Sequence, residues 1–152
     1  MTNTKKYIGR RVGATIIDYT LIFILTFMYI WFAGEPNEEG GRTVTGFPAL
    51  VPIVFWFLYF VVIESSYSST FGHLLVGLKV VSLDGSNVTF GQILKRRLAD
   101  IIEIAWCFGL VAFLVAKGNE NSQRVGDILA KTTVVGKNDS TENSEFEFEK
   151  PL

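Results

Sequence analysis

The sequence predicts an α-helical integral membrane protein: two full transmembrane helices, a third membrane-embedded helix that is either spanning or re-entrant, and a short cytoplasmic β-strand pair. Two observations carry this, and a third limits the chemistry. The 152-residue chain is 49% hydrophobic and 14% aromatic with only 19% charged residues, which is apolar for a water-soluble domain of this length. Two runs are long enough to cross a bilayer, and the basic residues lie mostly on one side of them. The single cysteine, Cys107, excludes an intramolecular disulfide and a thiolate-rich metal site.

The first run, Val12 to Ala33, holds 22 residues with one formal charge, Asp18. At about 1.5 Å per residue it spans roughly 30 Å of hydrocarbon. It is too long for the core of a secretory signal and no small-residue cleavage site follows, so the helix is expected to stay in the mature protein. The second run, Phe47 to Ile63, is uncharged and keeps its two prolines near the start, where a helix tolerates them best. The third, within residues 98–116, contains Glu103 and follows Asp100 directly, so its apolar part is short. A break at Gly109 would make it re-entrant, the arrangement that keeps the basic segment after it on the same side as the N-terminus.

Lys5, Lys6, Arg10 and Arg11 precede the first helix, whereas the next connection has one arginine against three glutamates. The positive-inside rule therefore puts the N-terminus in the cytoplasm, the connection outside and the chain in the cell's inner membrane as a multi-pass protein. Tyr29 and Trp31 fall where an interfacial aromatic belt would lie, while Trp56 sits mid-span and suits packing between helices. "GLKVVSLDG" reads as a strand and turn, and "TTVVG" at 132–136 as its partner, clamping the intervening residues as an insertion. Between them "TFGQILKRRLADIIE" reads as an amphipathic helix on the membrane surface. Residues 1–11 form a basic cytoplasmic N-terminus, 12–136 the membrane domain and 137–152 an acidic, disordered tail.

Asp18 is the residue that needs an account. An acid at the centre of a membrane helix costs about 2.5–3.5 kcal/mol, and the eleven Leu, Ile, Val and Phe residues of its run return about 0.3–0.6 kcal/mol each, so the helix inserts regardless. The acid lies six residues after Val12, about 9 Å below the edge of the run. Three Arg/Asp combinations recur at the membrane borders: Arg11 with Asp18, Arg97 with Asp100 and Arg124 with Asp127. Spacings of seven, three and three residues return to one helical face. They form either a cation or proton site centred on Asp18 or an ion-pair lattice that fixes how the helices dock. Glu64, His73 and Glu103 are secondary candidates. His73, the sole histidine, suits hydrogen bonding better than pH sensing, and Ser65, Ser66, Ser68 and Ser69 lack the acid–base partners of a nucleophile. The two Asn-x-Ser/Thr sequons, at Asn87 and Asn138, carry no weight on a cytoplasmic segment. No metal-ligand cluster, phosphate loop or nucleic-acid module is present in the sequence, so neither enzyme chemistry, a cofactor nor nucleic-acid binding is expected.

From Arg11 to about Gly136 the chain resembles the RDD family of membrane proteins. The matching residues are "RVGATIID", "TFGHLLVGLKVVSLDG", "LKRRLADIIE" and "SQRVGDILAKTTVV", with Arg11, Asp18, Arg124, Gly126, Asp127, Ala130 and Thr132 in the family's places. His73 replaces a residue that is usually lysine there. The resemblance implies a cation/proton transport role or an accessory-subunit role. The leading expectation is a transport-related or accessory membrane protein centred on the Arg/Asp cluster; the alternative is a non-transporting scaffold that regulates another membrane protein. The expected partners are the lipid bilayer and either further copies of the chain or another membrane protein.

Overall fold

The computed structural model describes residues 7–103, 110–118 and 122–138, with the side chains of 101–103 and 110–113 left aside. Helix α1 (Ile8–Ala33) is followed by a two-residue hairpin, β1 (Glu35–Pro36) and β2 (Arg42–Thr43). A second long helix runs unbroken from Phe47 to Tyr67. It starts as a 3₁₀ turn (Phe47–Leu50), continues as α2 (Val51–Phe57), widens into a π-helical turn (Leu58–Ile63) and ends as α3 (Glu64–Tyr67). Both helices are long and apolar enough to cross a membrane.

The remaining elements pack against one end of this pair. Helix α4 (Phe71–Leu75) leads into β3 (Leu78–Ser82), then come α5 (Phe90–Glu103), α6 (Leu110–Gly118), α7 (Val125–Ala130) and β4 (Thr132–Gly136). Strands β3 and β4 pair antiparallel, Leu78 opposite Gly136 and Ser82 opposite Thr132, so the strand pair does enclose α5 to α7. Whether α5 and α6 join into one crossing helix depends on residues 104–109, which lie outside the described residues, as does the acidic tail beyond 138.

The burial pattern is inverted relative to a water-soluble protein. On α1 the buried positions are Arg11, Ala14, Asp18 and Ile22, spaced by three, four and four residues along one stripe. Phe23, Ile24, Phe27, Met28 and Phe32 face outward, as do Phe47, Ile53, Val54 and Leu58 on the second helix. Contiguous apolar surface on this scale is stable facing lipid rather than water. Helix α5 repeats the inversion. Ile93, Arg96, Arg97 and Asp100 point inward, whereas Phe90 and Leu98 are about half exposed. Its charged face, read above as lying on the membrane surface, is thus the protein's interior. Among the described residues, the larger buried apolar side chains gather in two clusters. Val61, Leu78, Val80, Val88, Ile93 and Val134 fill the space beneath the strand pair, and Ile22, Tyr59 and Phe60 join the two long helices. Trp56 lies against both.

Candidate functional site

Two buried polar constellations sit side by side at the N-terminal end of α1. The larger is a closed ring of alternating charge. Glu64 receives Arg96 Nη1 at 3.0 Å on Oε1 and Arg97 Nε at 2.5 Å on Oε2, with Arg97 Nη2 also on Oε2. Arg97 reaches Asp100 at 2.8 Å, Asp100 meets Arg124 at 3.1 Å, Arg124 approaches Asp127 at 3.7 Å, and Asp127 returns to Arg96 at 2.9 Å. Arg11 joins from α1, donating to Asp127 Oδ2 and to the Ser122 carbonyl. Each of the seven side chains is at most 10% exposed.

Four segments supply these groups: α1, the second long helix, α5, and α7 with its N-cap Arg124. The i, i+3 and i+4 positions of α5 place Arg96, Arg97 and Asp100 on one face. The π-helical turn shifts the following residues round the helix by the extra residue in its wider loop, with Tyr59 buried inside it and Glu64 buried at its end. Asp127 lies in the first turn of α7 and accepts the Arg124 backbone N–H at 3.2 Å, so one carboxylate both starts a helix and closes the ring. Gly126 lets α7 approach α5: a Cβ there would lie 2.8 Å from the Arg96 carbonyl oxygen. Burial alone would raise the Asp127 pKa. The guanidiniums of Arg96, Arg11 and Arg124 outweigh it and hold the carboxyl well below the usual range. The ring is not saturated. Nη2 of Arg96 and the hydroxyls of Ser122 and Thr133 are buried without a hydrogen-bond partner among the described residues. Arg96 Nε and Arg124 Nη2 make close ion contacts without hydrogen-bond alignment, so the ion-pair distances are the better description of both.

The smaller constellation surrounds Asp18. Its Oδ1 accepts the Tyr59 hydroxyl at 2.6 Å and the Gly72 N–H at 2.7 Å. Its Oδ2 accepts the Thr70 hydroxyl at 2.5 Å and lies 3.4 Å from His73 Nδ1. Thr70, the N-cap of α4, also lies 2.8 Å from His73 Nδ1 through the same hydroxyl oxygen. A hydroxyl has one proton to donate. With that proton on Asp18, the Thr70 oxygen must accept from His73, which fixes a neutral His73 as the Nδ1–H tautomer. Burial pushes the imidazole below its usual pKa, and the hydrogen bond to Asp18 only partly offsets this. Gly72 is obligatory: a Cβ there would collide with the Ala14 carbonyl oxygen and lie 2.7 Å from Asp18 Oδ1.

Sequence spacing joined Arg11 to Asp18, and the structure separates them. Arg11 turns to Asp127, and Asp18 has no arginine contact among the described residues. Seven residues along a helix share a stripe but lie about 10 Å apart along its axis. Phe60 stands between the two constellations, packed against Tyr59 at 5.0 Å and under the Arg97 guanidinium at 4.4 Å. Arg97 with Asp100 and Arg124 with Asp127 do meet at their i, i+3 spacing. Glu64 is a hub of the ring, and His73 belongs to the Asp18 set. Glu103 ends α5, but its side chain lies outside the described residues. Spacing did not single out Arg96, Tyr59 or Thr70. For Arg96 a signal existed: three consecutive basic residues cannot share one helical face, and Arg96 stands three residues from both Ile93 and Ala99.

An apolar exterior on two long helices around an interior of paired charge defines a membrane protein of the α-helical class. The model of the RDD family matches residues 7–131, most of the chain, and the protein belongs to that family. No curated protein and no solved structure matches it.

Proposed function

We propose that this protein is a non-transporting membrane scaffold or accessory subunit whose buried charges lock its helices together. The observation that carries this reading is the closed ring. Every described acid in it touches two or more arginines, and all are at most a tenth exposed. An ion path needs carboxylates that can release one partner for another, whereas a carboxylate shared by two or three guanidiniums is held in place. The working surface is then the outward apolar face of the two long helices, which suits lipid, a second copy or another membrane protein. Orientation follows charge: a cytoplasmic N-terminus in the inner cell membrane, crossed more than once. No catalytic role is assigned to any residue.

One observation favours transport as a second reading. Among the described buried acids, Asp18 alone lacks a guanidinium, and it instead shares a hydroxyl with a titratable imidazole. A single experiment separates the two readings. Reconstituted into proteoliposomes, the scaffold shows no cation-dependent proton flux above empty vesicles, and Asp18→Asn changes nothing. Flux that disappears in Asp18→Asn, with the protein level in the vesicles unchanged, would establish transport and sink the scaffold reading. Chemical cross-linking in native membranes then shows whether the partner is another copy or a different membrane protein.

A further inference from the structure

The two long helices fix how deep the rest of the fold lies. On α1 the outward apolar surface begins at Val12, and Asp18 is six residues further on, about 9 Å inside. The second helix gives an independent measure. Tyr59, which donates to Asp18, is twelve residues from Phe47 at the opposite border, about 18 Å in, leaving roughly 12 Å of a 30 Å hydrocarbon layer. Both values put Asp18 within the acyl chains, and α4 is bonded to it at that level through Gly72 N–H and Thr70.

The side chains of α4 agree with that depth. Gly72 and His73 face inward, while Phe71, Leu74 and Leu75 are 51%, 51% and 60% exposed. Closer to the border, at the level of Arg11 and Asp127, α7 turns Gly126, Asp127 and Ala130 inward and leaves Leu129 63% exposed. A helix at a water-facing surface would show the opposite arrangement.

The backbone is compatible with that depth. The segment from Ser68 to Thr70 is not helical, and in hydrocarbon such backbone persists only where its polar groups are satisfied by protein. The Ser68 carbonyl accepts the Val80 N–H at 2.7 Å, and the Thr70 carbonyl accepts the Leu74 N–H at 2.9 Å and the Ser69 hydroxyl at 3.1 Å. The Gly77 carbonyl, at the far end of α4, accepts the Lys137 N–H at 2.9 Å.

We infer that α4 is a re-entrant helix sunk in the same leaflet as the N-terminal end of α1, with Phe71, Leu74 and Leu75 against acyl chains and Leu129 of α7 inserted beside it near the border. The occupant of this surface is lipid, because the surface continues the apolar exterior of both long helices and lies at their depth. The Asp18 constellation is thereby covered on the α4 side by hydrocarbon rather than by water.

The test uses full-length protein in lipid nanodiscs on a Cys107→Ser background, with one nitroxide attached at Leu75→Cys, Phe27→Cys or Asp84→Cys. These positions are exposed, and the label replaces only surface contacts, the Phe27 rings with Phe23 and Trp31 and the Asp84 turn bonds from Ser86; an unchanged far-ultraviolet spectrum confirms the fold. Power-saturation measurements compare collisions with oxygen, which concentrates in lipid, against a water-soluble nickel chelate. The inference requires Leu75 to behave like Phe27, accessible to oxygen and shielded from nickel, with Asp84 showing the reverse. Nickel access at Leu75 comparable to Asp84 would place α4 in water and overturn it. Shielding from both agents would put protein over the patch and overturn lipid as the occupant.

Discussion

The sharpest consequence of the ring concerns Asp127. Counting Arg11, the cluster contains four arginines and three carboxylates, 4 − 3 = +1. Asp127 alone serves three of the arginines, Arg11, Arg96 and Arg124. Asp127→Asn preserves shape but leaves four arginines with two carboxylates, 4 − 2 = +2, and weakens the carboxylate acceptor for the Arg124 N–H. Removing one member of a buried ion pair costs about 3–5 kcal/mol because the other charge is left uncompensated. Arg11→Met removes the surplus cation, 3 − 3 = 0, and leaves Asp127 with two arginines. Its cost is the lost charged hydrogen bonds to Asp127 and Ser122, about 1.5–3 kcal/mol. At roughly 2–4 °C per kcal/mol for a chain of this size, Asp127→Asn lowers the unfolding midpoint in detergent by about 6–20 °C, and Arg11→Met by less. The double variant costs clearly less than the sum of the two, since the groups touch. Equal small losses, below about 1 kcal/mol each, or strict additivity would refute the ring as an energetic unit.

Other expectations follow from the Asp18 constellation. Gly72→Ala drives a methyl into the Ala14 carbonyl and Asp18, whereas Gly13→Ala meets nothing within 4 Å in mid-helix; the first should lose folded protein and the second hold or gain about 0.5–1 kcal/mol by thermal unfolding. His73 is the sole histidine, so ¹⁵N-histidine labelling reports one imidazole, expected to be protonated at Nδ1 and not Nε2 at neutral pH, with Thr70→Val removing that preference. Because burial lowers the folded-state pKa of His73 beneath its usual 6.5, the unfolded chain binds the extra proton first. The histidine's contribution is therefore complete above pH 6.5 and declines as pH falls below it. His73→Asn, which keeps a donor near the Nδ1 position, should abolish that decline, and an unchanged pH slope would show that the imidazole is not its source.

How much of this could be read from the sequence differs by element. Both long helices and the antiparallel strand pair were legible, because length, apolar content and β-branched runs act locally. The faces of α5 were not. Periodicity locates the apolar stripe but cannot tell whether it meets a core or acyl chains, so the basic run reads as lying on the membrane surface, whereas Arg96 and Arg97 are buried. Arg11 and Asp127 are 116 residues apart, and no spacing rule reaches that far. The role of Tyr59 depends on a π-helical turn, which a 3.6-residue period does not contain. Glu64 and His73 were visible as isolated oddities, and only the folded chain shows that one completes the ring while the other shares a hydroxyl with Asp18.

The order in which the ring's members occur along the chain carries a consequence for biogenesis. Arg11 is synthesised first, Glu64 next, then Arg96, Arg97 and Asp100, and Arg124 and Asp127 last. Arg11 and, once α5 is made, Arg96 exist before the acid that holds them, and Arg124 precedes it by three residues. The two apolar helices can enter the bilayer early, but Arg11 and Arg96 gain their shared acid only when the final segment docks. The pairing of Arg11 and Arg96 with one acid thus marks a chain that has been made and assembled through α7.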